Sequence, residues 1–210
     1  STRKPGRFSI WNRKKMELEG GENMTILASA SNISADRAVT IAAASLEKKG
    51  LAFWSPSYKV VSVDREAILV RYVPYYIMQI CFAIPGGLRG KMGGRQIMAM
   101  EGITGEAGVA LGAPSASEQE IPGDSVLVPR FDEREAREAI VRKLEQHMVR
   151  RKRVIPVIEH EFMELIYKPV YAVALTYEDR RGVRHKCRKI VDGESGYLVY
   201  RYDRMEGLFG

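Results

Sequence analysis

YVPYYIMQI, residues 72–80, is answered later in the chain by YKPVYAVAL, residues 167–175, and the reading of this pair decides the fold. Tyr72, Pro74 and Tyr76 fall in register with Tyr167, Pro169 and Tyr171. Both stretches carry β-branched and aromatic residues in near-alternation, the composition of strands. A proline inside such a run removes a ladder donor, so it belongs at a strand start, an edge or a bulge. Its recurrence at one place in both stretches predicts a bend there between two successive strands.

A second phrase recurs downstream of each stretch. MEGITG, residues 100–105, and VDGESG, residues 191–196, match as an acidic residue, Gly, any residue, Ser or Thr, and Gly. This is turn chemistry: the acidic residue opens the turn and glycine supplies positive φ. RKIVDGESGYLVYRY, residues 188–202, reads as strand, turn, strand, a closing hairpin. Its counterpart QIMAMEGITGEAGVAL, residues 96–111, is poorer in strand formers after the turn and reads as a degraded hairpin.

Upstream of each stretch lies a helical pattern, ADRAVTIAAASLEKKG at 35–50 and DEREAREAIVRKLEQHMV at 132–149. Ser34 or Asp36 can cap the first, and Gly50 stops it. Asp132 and Glu135 have capping-box spacing in the second. Its Ala136, Ile140, Leu144 and Met148 fall at four-residue steps and form one apolar face. The three features occur in one order at nearly one spacing, which predicts a tandem duplication. The expected fold is α+β: two tandem repeats, each a helix followed by an antiparallel sheet. The division is a basic flexible leader at 1–30, a first repeat at 31–110, a linker at 111–127 and a second repeat at 128–210.

A helix followed by antiparallel strands that end in such an acidic-Gly-x-Thr-Gly turn resembles PepSY-type domains and related prokaryotic repeats. The resemblance covers each unit, about two thirds of the chain. It implies a binding or inhibitory module rather than an enzyme.

The formal net charge is +7, but Arg3, Lys4, Arg7, Arg13, Lys14 and Lys15 lie within the first fifteen residues with no acid among them. The remainder is close to neutral, so the overall basicity argues only weakly for nucleic acid. Cys81 and Cys187 form no Cys-x-x-Cys pair, which argues against a disulfide framework or a zinc site and fits a reducing, cytoplasmic setting. No apolar run has the ~18 residues of a membrane span. Residue 1 is Ser rather than Met, which fits a processed form or a piece of a longer chain.

Catalytic constellations are scarce. HEFME, residues 160–164, nearly matches the zinc-protease pattern, but that pattern needs a second His on a helix and this stretch reads as strand. IPGGLRGKMGGR, residues 84–95, offers glycines with Arg89, Lys91 and Arg95, yet lacks the P-loop spacing. It aligns with EDRRGVRHKCR, residues 178–188, which carries Arg180, Arg181, Arg184, Lys186 and Arg188. Both read as long hairpin loops, and a pseudo-twofold arrangement would bring Arg89, Lys91 and Arg95 with Arg180, Arg181 and Arg184 to one side as an anion-binding surface. Arg150, Arg151, Lys152 and Arg153 end the second helix, where cations suit the helix dipole or contact phosphate. The tail RFSIWNRKK, residues 7–15, mixes bases with aromatics, a pattern that suits nucleic acid or an anionic membrane surface, but a disordered leader or linker is the preferred reading.

No cofactor and no metal are implied. The expected function is a non-catalytic binding or scaffolding module with a protein partner or larger assembly. The alternative is nucleic-acid binding through the tail, the basic loops and residues 150–153.

Overall fold

The computed structural model describes residues 23–47, 58–84, 92–110, 112, 114–179, 181–200, 202 and 208. Its axis is a single long antiparallel pair, β2 (Lys59–Ile84) with β6 (Val157–Glu178). The register runs from Lys59↔Glu178 to Ala83↔Val157, interrupted by bulges, the largest between Asp64 and Leu69. At its centre Tyr72 opposes Pro169 and Pro74 opposes Tyr167, so the two recurrent stretches pair with each other.

The prolines therefore do not separate successive strands, contrary to the bend expected there. The Pro74 carbonyl accepts from the Gly102 N–H at 2.7 Å, and Pro169 does the same for Gly193 at 2.8 Å. In an antiparallel ladder a residue's N and C=O point the same way. Each proline therefore turns its missing donor away from the β2/β6 ladder. On that other side, β3 (Met92–Glu101) ends its pairing at Tyr75↔Glu101, and β7 (Arg184–Asp192) ends at Val170↔Asp192. The absent N–H lies one residue past the neighbouring strand and leaves no acceptor stranded.

β1 (Asn23–Ser29) pairs antiparallel with β5 (Ala116–Pro122), and Ala28 meets Tyr167 in parallel. β4 (Ala107–Val109) pairs with β3. The strand order is β4-β3-β2-β6-β1-β5, with β7 also on β6, one seven-stranded mixed sheet. β5 lies inside the stretch read as a linker, and β1 inside the stretch read as a leader. The two turn phrases also reverse their expected ranking. The first leads into β4, paired from Met98↔Val109 to Met100↔Ala107, whereas the second leads only to an isolated bridge, Val191↔Leu198.

Two helices cover one face of this sheet. α1 (Ala35–Glu47) sets Ala38, Val39 and Ala42 on Tyr171, Val173 and Leu175 of β6 and Val191 of β7. α2 (Glu133–Lys152) sets Ala136, Ile140, Leu144 and Met148 on Tyr76, Met78, Ile80 and Phe82 of β2 and Met98 and Met100 of β3. Asp132 caps α2 as expected, accepting from the Glu135 N–H at 2.8 Å, while the Glu135 carboxylate accepts from the Asp132 N–H at 2.9 Å. The opposite face holds Val73, Val170, Ala172 and Ile190 against Ile103 and Tyr202.

The expectation of two tandem helix-plus-sheet repeats is thereby corrected. The described residues are mostly strand, with two α-helices packed on one sheet. Each helix finds its fully buried strand partners in the other half of the sequence. Hydrophobic patterning shows that a segment has an apolar face, but not which segment that face meets.

Candidate functional site

The two recurrent phrases build matching joints at the middle of the sheet. Gly102 donates to Pro74 while its own carbonyl accepts from Arg130 N–H at 2.8 Å. Gly193 donates to Pro169 while its carbonyl accepts from Asn32 N–H at 2.8 Å and Ile33 N–H at 3.2 Å. Each glycine thus ties a long strand to the segment entering a helix. The tyrosine two residues after each proline completes the joint. Tyr76 Oη donates to the Phe131 carbonyl at 2.5 Å, and Tyr171 Oη donates to the Ile33 carbonyl at 3.0 Å. Burial pushes the Tyr76 phenol up to about 12, with Tyr167 and the acids at the start of α2 adding to it. Burial alone raises Tyr167 to about 12. These tyrosines pack and cap, so the recurrent motif is architecture.

Of the six loop cations the three described, Arg95, Arg181 and Arg184, do not converge. The β2–β3 connection follows Ile84 and the β6–β7 connection follows Glu178, and antiparallel pairing places these at opposite ends of the ribbon. Arg89, Lys91 and Arg180 lie outside the described residues. Arg95 is exposed on β3 opposite Cys81, with its guanidinium on the Gln79 side chain. Arg150, Arg151 and Arg153 are exposed at the end of α2, with Arg153 in the left-handed region at φ 55°. They lie a few residues before Val157, which pairs with Ala83, so they share an end of the sheet with Arg95. Lys152 closes α2.

The other end is differently built from the long loop expected there. The connection is only Asp179–Val183, and Arg184 already belongs to β7. Asp179 organises the turn. Its Oδ1 accepts from Arg181 N–H at 2.9 Å and Val183 N–H at 3.0 Å, and its Oδ2 lies 3.0 Å from His185 Nε2. The His185 bond and the backbone donors hold the Asp179 carboxyl below its usual range. His185 stacks on Tyr177 at 5.2 Å, and Tyr58 meets Tyr177 edge-on at 4.9 Å. Arg181 is exposed in the turn.

Beyond this turn the strand reads Arg184-His185-Lys186-Cys187-Arg188. Cys187 packs toward α1, so by the two-residue period Arg184, Lys186 and Arg188 stand on the opposite face, and all three are exposed. On that face lies an open trough of about 560 Å³. Val63, Leu175 and Cys187 border it, and the three belong to the cluster packed with α1. Lys186, Thr176 and Ser62 form one wall; Arg188, Ala174 and Asp64 form the other. Small and hydroxyl side chains line the middle, cations stand at the β7 rim, and one acid stands at the β2 rim.

Sequence reading placed Arg184, Lys186 and Arg188 together in a basic loop but carried only Arg184 into the candidate surface. The alternation of cations through residues 184–188 was the available signal, hidden by reading these residues as loop. HEFME lies on β6, as its strand reading expects; His160 opposes Cys81, and the Glu161 carboxylate is engaged by Arg137 of α2. Among the described residues no group of three or more His, Cys, Asp or Glu side chains is placed to hold a metal ion. Among them, too, no helix is long and apolar enough to cross a membrane. Comparisons with protein-family models, with curated proteins and with solved structures found no match.

Proposed function

We propose that this chain is a non-catalytic binding module that takes an anionic partner at the β7 end of its sheet. One observation carries the reading: Arg184, Lys186 and Arg188 are exposed, on one face of one strand, at the rim of an open trough. Solvation alone needs charge but not one sign at three successive outward positions. Cations clustered this way raise the local concentration of an acidic partner and speed its association. The resemblance to PepSY-type domains, with its implication of binding or inhibition, points the same way. Cys81 and Cys187, neither of them in a disulfide, fit a reducing, cytoplasmic setting for it. The test is the triple variant Arg184→Glu, Lys186→Glu, Arg188→Glu, titrated with polyglutamate and with a single-stranded oligonucleotide across a salt series. Loss of anion binding at unchanged melting temperature supports the reading; undiminished binding rejects it.

A second reading, nucleic-acid binding, draws on Arg95, Arg150, Arg151 and Arg153 gathered at the far end. Charge reversal of these four would then remove oligonucleotide binding and flatten its salt dependence.

A further inference from the structure

We propose that the far end of the sheet docks on a bilayer surface rich in anionic lipid. Arg150, Arg151 and Arg153 would lie on headgroup phosphates, with Ile155 and Val157 at the acyl boundary. This surface is independent of the β7 reading, since Val157 opens β6 and the β7 turn follows its other end.

The stretch MVRRKRVIPVI, residues 148–158, contains only cations and apolar residues. It closes α2, crosses a short connection and enters β6. Met148 is buried in the core under α2, Ile158 packs against the same core, and Pro156 is buried between them, so the segment is anchored at three points. The residues between the anchors stand outside. Ile155 is 64% exposed, Val157 53% and Val149 45%. Arg150, Arg151 and Arg153 are exposed, and among the described residues no carboxylate pairs with them.

Two features exceed what a helix end needs. Arg153 ends α2 at φ 55°, a left-handed position that glycine fills without steric cost. Among the described residues it is the one residue other than glycine with positive φ. Ile155 then gives water a large aliphatic side chain in a connection where turn-forming polar residues would serve. The helix dipole accounts for cations here, but not for a strained arginine in place of glycine or for a bare isoleucine.

Other partners use only half of this patch. A nucleic acid neutralises the arginines and leaves Ile155 and Val157 in water. An apolar protein surface covers the aliphatics and strips water from charges it cannot pair. A bilayer with anionic headgroups takes both at once. Guanidinium forks match phosphate and stay at headgroup level, while the aliphatic side chains reach deeper. The cationic part of such binding is screened by salt and the aliphatic part is not.

The experiment uses the full chain with three probes: phosphatidylcholine vesicles, the same vesicles with about 30 mol% phosphatidylserine, and a single-stranded oligonucleotide. The expected result is binding to the phosphatidylserine vesicles at least tenfold stronger than to phosphatidylcholine alone. Ile155→Ser combined with Val157→Thr should weaken that binding at least fivefold. Arg150→Glu combined with Arg151→Glu should abolish it, both at unchanged melting temperature. In the unsubstituted chain, hydrogen exchange should slow at the Val154 and Ile155 amides when those vesicles are added, which decides the matter even if a variant misfolds. Unchanged exchange there, or vesicle binding that survives both variants, overturns the proposal and assigns any binding to another part of the chain, the basic residues 1–15 included. Binding lost on charge reversal but indifferent to the aliphatic pair overturns insertion into lipid. Binding of the oligonucleotide but of neither vesicle overturns the bilayer partner and favours nucleic acid. The β7 reading has its own triple variant and stands or falls apart from these outcomes.

Discussion

At the joint under α1, a single hydrogen atom fills the space that Gly193 leaves. A Cβ there would stand 2.7 Å from the Pro169 carbonyl oxygen and 3.1 Å from both Pro169 Cγ and Ser31 Oγ. Neither the strand backbone nor the helix lead-in can retreat without breaking the bonds that Gly193 makes to each. Gly193→Ala should therefore destabilise the fold by about 1–3 kcal/mol, the usual cost of overpacking, read as a lower urea midpoint at unchanged slope. The buried phenols make a second test at this scale. Tyr76 and Tyr167 are held neutral up to about 12, against an ordinary 10.0. Above pH 10 the unfolded chain releases protons that the folded chain keeps, so stability falls as pH rises through this window and is unaffected below it. The urea midpoint should drop between about pH 10 and 12, and Tyr76→Phe should make that drop shallower. A flat midpoint across the window would mean that these phenols ionise freely in the fold.

The helices are the elements whose reading needed least beyond their own residues. The Asp132 and Glu135 side chains each accept from the other's backbone N–H within one turn, and Ala136, Ile140, Leu144 and Met148 share a face whatever lies beneath. That information is local, so it was legible in the sequence. Asp132→Ala should cost about 1 kcal/mol through the lost cap, measurable as a lower melting temperature with the same helix content at 20 °C. The long strands were legible only in part. Their composition announced β structure, but Pro74 and Pro169 looked like breaks because the rule for proline in strands concerns neighbours. Those neighbours, the ends of β3 and β7, lie far away in the chain. β7 shows the same limit in the site. Arg184, Lys186 and Arg188 were legible as cations of one basic segment, but that they share a face needed the strand period, which appears only once the turn is known to close at Val183.

For the whole molecule, interleaving matters more than repetition. α1 is buried by Tyr171, Val173, Leu175 and Val191, and α2 by Tyr76 to Phe82 and by Met98 and Met100, so neither half encloses its own helix. The matching phrases Tyr72–Tyr76 and Tyr167–Tyr171 were visible in the sequence; that they pair with each other was not, because nothing within either one names its partner. Residues 1–127 and 128–210 expressed separately should each lack a cooperative unfolding transition, and mixing them should restore one. Two independent transitions from the separate pieces would refute the interleaving. The same feature bears on how the chain is born. A ribosome adds roughly 5–20 residues per second, and the pocket that receives Ala38, Val39 and Ala42 is not complete until Val191 has emerged. The first helix must therefore wait on the order of ten seconds with its apolar face bare, which makes the nascent amino-terminal half a natural client for a chaperone at the exit tunnel.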